Sequence, residues 1–225
     1  MKKLLIIFIS TICFAFTCKK AIVDSYIQKG IKIDSIKIAD KKRRFEIFLT
    51  IPVSKIKKLD LLIKKEILED KAAFINMVNE NIKENNGKIS FIGSDYSCVL
   101  NHIFDNKFII SYNFINSQYI GGTAHGISRF KSYNYDLKKG KFINFNDYFH
   151  LKSDADSTYL LSAITKRINR KGVEVNTLER IKFNILKDSI SFNFDNYEIA
   201  SYSEGLIQAK ISKNEIGRLI NSNYR

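Results

Sequence analysis

The chain has 225 residues, 45% of them hydrophobic, which is enough to bury a hydrophobic core. Lys and Arg number 37 against 23 Asp and Glu, so the formal net charge is +14 at pH 7. The sequence contains no Gly-x-Ser-x-Gly elbow, no His-Glu-x-x-His motif and no Cys–His pair with an orienting group, which excludes the common hydrolase signatures.

The first segment of the chain is basic and then apolar. Lys2 and Lys3 precede an apolar run from Leu4 to Thr17, a pattern typical of a secretory signal peptide, and we predict that residues 1–17 are removed on export. The 14 residues of this run would span about 21 Å as a helix, less than the ~30 Å hydrocarbon core of a bilayer. A transmembrane anchor is the alternative interpretation.

Cys18 follows the apolar run directly. The stretch Ala15-Phe16-Thr17-Cys18 resembles the relaxed lipoboxes of spirochaetal lipoproteins, in which the cysteine is acylated, for example with palmitate, and begins the mature chain. We therefore predict a lipoprotein with a tether over residues 18–30 and membrane lipid as a partner through Cys18. The alternative is ordinary signal cleavage nearby, which would give a soluble secreted protein.

Cysteine use agrees with export. Cys13 lies in the predicted signal and Cys18 at the lipidation position, so Cys98 is the thiol that remains and no internal disulfide is predicted. Cys98 lies among alternating apolar residues, which predicts a core side chain rather than a nucleophile. We expect an extracytoplasmic, membrane-anchored protein at the outer membrane, the periplasmic face or the cell surface.

The charge remains basic after removal of the predicted signal. Loss of Lys2 and Lys3 leaves 35 basic and 23 acidic residues, a balance of +12. Export excludes nucleic acid as a partner, and the acidic surfaces outside the cytoplasm are lipid headgroups and charged wall polymers. A codon bias toward Lys, Ile and Asn in an AT-rich genome is the alternative source of this charge.

The predicted elements begin with two strands, Ile31–Ile38 and Phe45–Val53, joined by a basic turn at Asp40–Arg44. Ser54 is predicted to cap a long helix that ends at Asn85-Asn86-Gly87. Apolar residues recur at helical spacing along this helix and predict a buried stripe of Ile56, Leu59, Ile63, Ile67, Phe74, Met77, Val78 and Ile82.

Strands predominate from Lys88 onward. They are predicted at Ile89–Leu100, Lys107–Phe114, Ile127–Tyr135, Phe142–Phe145, Phe183–Leu186, Ser189–Phe194 and Leu206–Ile211, with a hairpin turn at Asp105-Asn106. Helices are predicted from Asn146 as one turn, over residues 154–171 and over Asn214–Ile220. Without regular βαβ alternation, the class is α+β with an antiparallel β-sheet, one long helix near the N-terminus and a short C-terminal helix.

One folded domain is predicted over residues 31–225, with a strand-strand-helix part at 31–87 and a sheet-rich part at 88–225. Pro52 is the single proline and no Gly/Ser-rich run occurs, so the sequence favours this over two domains joined by a flexible linker.

Three passages in this order resemble an envelope domain family of unknown function. That family includes the extracytoplasmic domain of the anti-sigma factor RsiV and the accessory domain of the peptidoglycan deacetylase PdaC. The first passage is Tyr119 with the bend Gly121–Gly126, where Thr123 departs from the family's Tyr-x-Gly-Gly-Ala-His-Gly. The others are Tyr135–Phe149, similar to its Asp-Leu-x-x-Gly-Lys segment, and Phe194–Gly205, similar to its Tyr-Glu-Ile-Ala-x-Tyr stretch.

The resemblance implies a binding module for an envelope polysaccharide or protein. The candidate ligand-binding residues are Tyr119, Gly121, Gly122, His125, Tyr197, Glu198 and Tyr202. A basic surface of Lys41, Lys42, Arg43, Arg44, Lys138, Lys139 and Lys141 would carry binding to an anionic polymer. A purely structural role is the alternative for His125 and for the bend that contains Tyr197 and Tyr202.

Two alternatives to this function stay open. Since RsiV recognises lysozyme, the resemblance implies a lysozyme-recognising or lysozyme-inhibiting lipoprotein as the first, although two basic proteins repel at long range. The second is a weak hydrolase using His125 with Asp136 or Glu198, or an accessory acting in trans on a peptidoglycan enzyme. No catalytic residue, metal site or cofactor is predicted.

Overall fold

The computed structural model describes residues 32–54 and 56–225. The predicted signal peptide, the tether and the lipidation position Cys18 lie outside these residues. Within them, none of the helices combines the length and apolar character that crossing a bilayer requires. The chain forms two compact units, of which the first contains the residues up to Asn101 together with Tyr119–Thr123, and the second contains His102–Gln118 and Ala124–Arg225.

The fold is α+β, as predicted. The strands are β1 (Ile33–Asp40), β2 (Phe45–Pro52), β3 (Ser94–Asp105), β4 (Ile109–Tyr119), β5 (Ile127–Asp136), β6 (Lys141–Phe142), β7 (Lys182–Ile185), β8 (Ser189–Phe194) and β9 (Ile207–Ser212). The helices are α1 (Lys57–Glu84), α2 (Phe145–Tyr148), α3 (Asp154–Ile168) and α4 (Lys213–Ile216), with 3₁₀ turns at Tyr202–Glu204, Gly217–Leu219 and Ser222–Tyr224.

In the first unit, β2 pairs with two strands of opposite sense. It is antiparallel to β1, from Ile33↔Pro52 to Asp40↔Phe45, and parallel to β3, where Phe45 pairs with Ser94 and Leu49 with Cys98. The parallel pair departs from the expected antiparallel sheet. Its cause is the connection, because α1 carries the chain back before β3 begins, and such a crossover allows parallel strands.

Five of the eight residues of the predicted apolar stripe are buried, whereas Ile56, Met77 and Ile82 are half-buried. Leu59, Ile63, Ile67 and Phe74 are fully buried and Val78 is 2% exposed. The start of the helix differs from the prediction, because Ile56 occupies the N-cap position without a side-chain bond. Instead of capping, the Ser54 hydroxyl donates to Asp60 Oδ1 at 2.7 Å and accepts from the backbone N–H of Ile56 at 2.9 Å.

The strand predicted from Ile89 begins five residues later, at Ser94. Ile89, Phe91 and Ile92 are all exposed, and the strand starts where Ser94 N–H donates to the Arg44 carbonyl at 2.8 Å. The start of this strand, predicted from the apolar character of residues 89–92 alone, was therefore wrong. From Ser94 to Leu100 every residue except Asp95 is buried, and Cys98, at 0% exposure, is the core residue that the sequence predicts.

In the second unit, β5 pairs antiparallel with β4 and β6, and β8 pairs antiparallel with β7 and β9. The strand predicted to continue to Phe145 ends at Phe142. It ends there because Asn144 and Asp147 form a reciprocal capping box that starts α2. The residues that form the apolar core include Tyr148, Leu160, Ile164, Phe183, Phe192 and Ile211.

A network of amide and hydroxyl side chains is also buried in the second unit. Asn184, 1% exposed, lies at its centre, and its Oδ1 accepts from the Nδ2 groups of Asn113 and Asn193, both at 2.8 Å. Its own Nδ2 donates to Ser111 Oγ at 3.0 Å and to the Tyr112 carbonyl at 2.8 Å. Every polar atom of this amide is therefore satisfied, as burial requires.

Asn134 extends the network. Its Oδ1 accepts from Ser111 Oγ at 2.7 Å and from the Ile185 N–H at 3.0 Å, and its Nδ2 donates to the Phe183 carbonyl at 2.9 Å. These bonds join β4, β5 and β7, so the network fixes the register between the two sheets of this unit.

Candidate functional site

The glycine bend lies in the first unit and is tightly packed. Gly121 is buried, and its N–H donates to Ser94 Oγ at 2.9 Å. A Cβ at this position would lie 2.3 Å from the carbonyl oxygen of Ile92, closer than real Cβ atoms approach a backbone. Gly122 has φ +98°, and the Tyr119 hydroxyl donates to the Thr123 carbonyl at 3.3 Å. Packing alone accounts for glycine at position 121.

The passage around Asp136, in the second unit, fixes a turn. Asp136 Oδ1 accepts from the backbone N–H groups of Lys138 and Lys139 at 2.9 and 2.8 Å, and its Oδ2 accepts from the Tyr224 hydroxyl at 3.1 Å. The Lys141 ammonium lies 3.0 Å from Asp147 Oδ1. This hydrogen bond lowers the pKa of Asp147 and raises that of Lys141.

Both predicted basic clusters are partly engaged inside their own units. Arg43 pairs with Asp40 at 2.8 Å, which lowers the pKa of that carboxyl through hydrogen bonds from the backbone and side chain of Arg43. Arg44 donates to the Phe91 carbonyl at 3.4 Å, and Lys139 donates to the Tyr224 hydroxyl at 3.2 Å. In the part of the chain that the structure describes, the cations of the two clusters outside any ion pair are Lys41, Lys42, Arg44 and Lys138.

Three rings of the predicted ligand-binding set lie together in the second unit, and we refer to His125, Tyr197 and Tyr202 as the aromatic cluster. The His125 ring stacks on Tyr202 with centroids 4.0 Å apart, and the two tyrosine rings are 5.6 Å apart. His125 Nε2 lies 3.0 Å from the Tyr197 hydroxyl, and Nδ1 lies 3.0 Å from the Gly126 carbonyl. Because a carbonyl only accepts, Nδ1 donates to Gly126, and in the neutral tautomer with this proton Nε2 is the acceptor for the Tyr197 hydroxyl.

The loop that carries Tyr197 is anchored by the two residues that precede it. Asn196 Oδ1 accepts from the Ser128 N–H, and Asp195 Oδ1 accepts from the Phe130 N–H, both at 2.8 Å. Between these anchors and the solvent, Tyr197 adopts φ +66° and is 55% exposed. A tyrosine in this left-handed region is strained, so the surroundings hold the ring in place at a cost.

Glu198, another predicted ligand-binding residue, is engaged in this anchoring. Its Oε2 accepts from the Asp195 N–H at 2.7 Å and lies 3.2 Å from the Lys182 ammonium. Lys182 also pairs with Asp195 Oδ2 at 2.8 Å. The carboxylate of Glu198 therefore holds the loop, while His125 and Tyr197 are exposed and Tyr202 is half-buried.

Lys182 also lines a cleft of about 360 Å³ in the second unit. Apolar and polar side chains share its wall: Ser132, Asn134, Ile143, Asn144, Phe145, Asn146, Arg180, Ile181, Lys182 and Phe183. Arg180 adopts φ +56° and its side chain is 92% exposed. The volume falls in the range of small-ligand sites, ~300–1,000 Å³.

Three polar groups of the cleft offer hydrogen-bond donors. Ser132 Oγ accepts from Nδ2 of Asn113 at 3.4 Å and of Asn193 at 3.1 Å, which leaves its own proton for an acceptor in the cleft. Asn144 uses its carbonyl oxygen to cap α2, so its Nδ2 is left to donate. With the Arg180 guanidinium, these groups match a ligand rich in hydroxyl, carbonyl or carboxylate oxygens.

No cluster of three or more His, Cys, Asp or Glu side chains with the spacing of a metal site occurs among residues 32–54 and 56–225. The predicted set is divided between the units, with Tyr119, Gly121 and Gly122 in the first and the aromatic cluster and Glu198 in the second. Sequence reasoning missed the cleft, whose residues come from three separated stretches and carry no motif. The local signal in the sequence is a basic residue, Arg180, shortly before the predicted strand Phe183–Leu186.

The fold and these surfaces define an α+β protein whose second unit presents exposed aromatic rings beside a donor-lined cleft. Residues 52–214 match the family model described as "Protein of unknown function (DUF3298)". The chain belongs to the DUF3298 family, which confirms the family predicted from the three passages.

The chain is 25% identical over 222 residues to the peptidoglycan-N-acetylmuramic acid deacetylase PdaC of Bacillus subtilis. This alignment covers 92% of the chain but 46% of PdaC, so the chain spans about half the length of that relative.

Two crystal structures of DUF3298 proteins have the same fold. One, from Bacteroides fragilis, is 20% identical with a TM-score of 0.58, and the match covers 86% of this chain and 94% of that one. The other, from Pseudomonas aeruginosa, is 13% identical with a TM-score of 0.60, covering 86% and 96%.

Proposed function

We propose that this protein is an exported binding module of the cell envelope, lipid-anchored through Cys18, which binds an envelope polysaccharide with the second unit. The observation that carries the proposal is the aromatic cluster, in which a strained and 55% exposed Tyr197 is held against His125 and Tyr202. Enzymatic activity is not needed to account for this surface.

The aromatic cluster suits the apolar C–H face of a sugar ring. Exposed tyrosine rings offer a large contact area with little side-chain entropy to lose, and a polar tip that can bond a hydroxyl. The anchors at Asn196 and Asp195 hold the Tyr197 loop in place before a ligand arrives, which reduces the entropy cost of binding. The positive φ of Tyr197 does not stabilise the folded protein, so a role in binding supplies the reason for it.

The cleft adds donors for the oxygens of the same class of ligand. The Ser132 hydroxyl, the Asn144 amide and the Arg180 guanidinium can each donate to an oxygen of a ligand in the cleft. Lys182 lines the cleft and also pairs with Glu198, the chain neighbour of Tyr197, so one lysine connects the wall of the cleft to the loop of the aromatic cluster. A glycan long enough to contact both the cleft and the aromatic cluster would gain binding free energy from each.

The envelope location rests on the relative and on the N-terminal sequence. PdaC is named for action on peptidoglycan, which supports a cell-wall setting for this chain. The basic-apolar start and Cys18 support export and acylation. Metabolic labelling with a radioactive fatty acid tests the anchor: we expect label in the parent and none in Cys18→Ser, and an unlabelled parent would contradict it.

Co-sedimentation of the purified chain with protein-depleted cell-wall sacculi tests the binding. We expect Tyr197→Gly and Tyr202→Ala each to weaken binding at least about tenfold, the effect of removing a central aromatic contact. Glycine at position 197 relieves the positive φ, so this variant should be at least as stable as the parent by urea denaturation. Its loss of binding would therefore not reflect unfolding.

Tyr159→Ala is the matched control, because Tyr159 is a tyrosine of the same unit and is 38% exposed, on α3. It should leave binding within about twofold of the parent. The proposal fails if the parent does not sediment with sacculi, or if Tyr197→Gly binds as tightly as the parent. Binding to crude envelopes but not to protein-depleted sacculi would indicate a protein partner instead.

A further inference from the structure

The first unit carries a second surface that neither the family nor the aromatic cluster accounts for. Between α1 and β3, three apolar side chains face the solvent, and we call Ile89, Phe91 and Ile92 the apolar tip. Phe91 is 80% exposed, Ile92 43% and Ile89 38%. At 80% exposure, Phe91 contributes little hydrophobic stabilisation to the fold.

The apolar tip is held in place by close backbone contacts. A Cβ at Gly93 would lie 2.7 Å from the Arg44 carbonyl oxygen, and a Cβ at Gly121 would lie 2.3 Å from the Ile92 carbonyl oxygen. Both glycines therefore allow backbone segments to approach where other residues would collide. The family-motif residue Gly121 thus supports the segment from which the apolar tip projects.

Cations lie next to the apolar tip. The Arg44 guanidinium lies 5.5 Å from the centre of the Phe91 ring, and its Nη1 donates to the Phe91 carbonyl at 3.4 Å. Lys41 and Lys42 occupy the same turn as Arg44 and are exposed, and Lys88 directly precedes Ile89. Asp40, at the start of this turn, is paired with Arg43 at 2.8 Å.

We propose that the apolar tip inserts into the surface of an anionic membrane, with Arg44, Lys42 and Lys41 contacting the lipid headgroups. Apolar side chains flanked by Lys and Arg are the combination that binds the boundary between headgroups and acyl chains. Three side chains on one segment are too few for a stable protein interface, which needs about 800 Å² from each partner. The charge and the small size of the patch therefore both favour a lipid surface.

This contact would supplement a lipid anchor without depending on it. One acyl chain alone gives reversible attachment, and a basic patch is a second signal that stabilises it. The membrane contact belongs to the first unit and the proposed glycan surface to the second, so either can fail in experiment without the other.

A tryptophan scan measures the insertion directly, because the chain contains no tryptophan. In the full chain, Phe91→Trp places a single indole at the apolar tip. With phosphatidylglycerol vesicles we expect a blue-shifted emission, quenching by brominated lipid and protection from iodide. Phosphatidylcholine vesicles should give little blue shift, quenching or protection, since their headgroups carry no net charge.

Phe108→Trp is the matched control, because Phe108 is 55% exposed and also lies beside a lysine, with Lys107 5.0 Å from its ring. Its indole should stay accessible to iodide with either lipid, even if the N-terminal segment recruits the chain to vesicles. The proposal is overturned if the indole at position 91 stays accessible to iodide on phosphatidylglycerol vesicles. It is also overturned if the indoles at positions 91 and 108 respond equally. Burial of the indole by envelope protein extract but not by vesicles would overturn it in favour of a protein partner.

Charge reversal tests the role of the cations. In the Phe91→Trp background, Lys42→Glu with Arg44→Glu should raise the lipid concentration for half-maximal blue shift more than about tenfold, because each cation near an anionic surface contributes about fivefold. An unchanged titration would remove the cations from the proposal and, with it, the preference for anionic lipid. Circular dichroism of each variant verifies that the fold is retained.

Discussion

The two units bury different kinds of side chain. The first is centred on an apolar cluster, in which Phe74 stacks on Tyr96 at 5.4 Å and meets Phe45 edge-on at 6.0 Å. The second has an apolar core as well, but it also buries a connected set of amides and hydroxyls around Asn184. A buried polar network is stabilising only when each of its groups has a hydrogen-bond partner. It therefore specifies one register between the strands, whereas apolar packing tolerates several.

The difference also bears on binding. The first unit leaves an apolar tip outside its core, whereas the buried network of the second leaves a donor, the Ser132 hydroxyl, at the edge of the cleft. An apolar surface suits lipid, and a donor-lined surface suits a polyhydroxylated ligand.

The largest expected effect is on the apolar core of the first unit. Phe74→Ala removes a fully buried ring from between two aromatic partners, and we expect a loss of about 3–5 kcal/mol in the free energy of unfolding. Urea denaturation measures this loss. Phe91→Ala, the same substitution at an 80% exposed position, should change stability by less than about 0.5 kcal/mol. Similar losses for both would contradict the burial described above.

The polar network should respond to a single substitution almost as strongly. Asn184→Leu removes the Oδ1 that accepts from the amides of Asn113 and Asn193, at a cost of about 2–4 kcal/mol. Asn146→Leu is the control in the same unit, where an exposed amide should tolerate the change within about 0.5 kcal/mol. If Asn184→Leu is neutral, the network does not specify the register.

The glycine bend should show an intermediate effect. Gly121→Ala forces a Cβ against the Ile92 carbonyl, and we expect a loss of about 1–3 kcal/mol by urea denaturation. At Gly217, which has φ −56° and open space around it, alanine should be neutral or stabilising by up to about 1 kcal/mol. A tolerated Gly121→Ala would mean that the apolar tip is not held by this contact.

The smallest effect is the pH dependence from Asp147. Its pKa is lowered in the folded protein by hydrogen bonds from Lys141 and Asn144, so its contribution is present above the ordinary value of 3.8 and is lost as pH falls below it. Asp147→Asn should therefore flatten the fall in stability below about pH 4, the ordinary range of a carboxyl pKa, and urea denaturation at stepped pH measures this. An unchanged acid profile would contradict the pairing.

Patterns within one segment predicted the fold well. The helical spacing from Leu59 to Val78 gave the buried face of α1, and Asn86 and Gly87, at φ +54° and +78°, end that helix as the sequence indicates. The hairpin at Asp105-Asn106 was also predicted, and Asn106 Oδ1 accepts from the N–H groups of Phe108 and Ile109. Each of these signals depends on neighbours a few residues apart.

Relations between distant segments were not predictable in the same way. No periodicity identifies β3 as the parallel partner of β2, because strand pairing depends on the path of the connection. The same holds for the site. His125 and Tyr197 were both selected from motifs, but their 3.0 Å contact depends on Asn196 and Asp195 reaching β5 across the fold.

The parallel pairing of β2 has a consequence for the growing polypeptide. β2 is buried along nearly its whole length, yet its partner β3 is synthesised only after all of α1. While the chain emerges, one edge of this apolar strand has only solvent to pair with, and such edges recruit other chains into aggregates. A holding chaperone would therefore protect the nascent chain most during the interval after β2 has emerged and before Ser94 has been synthesised.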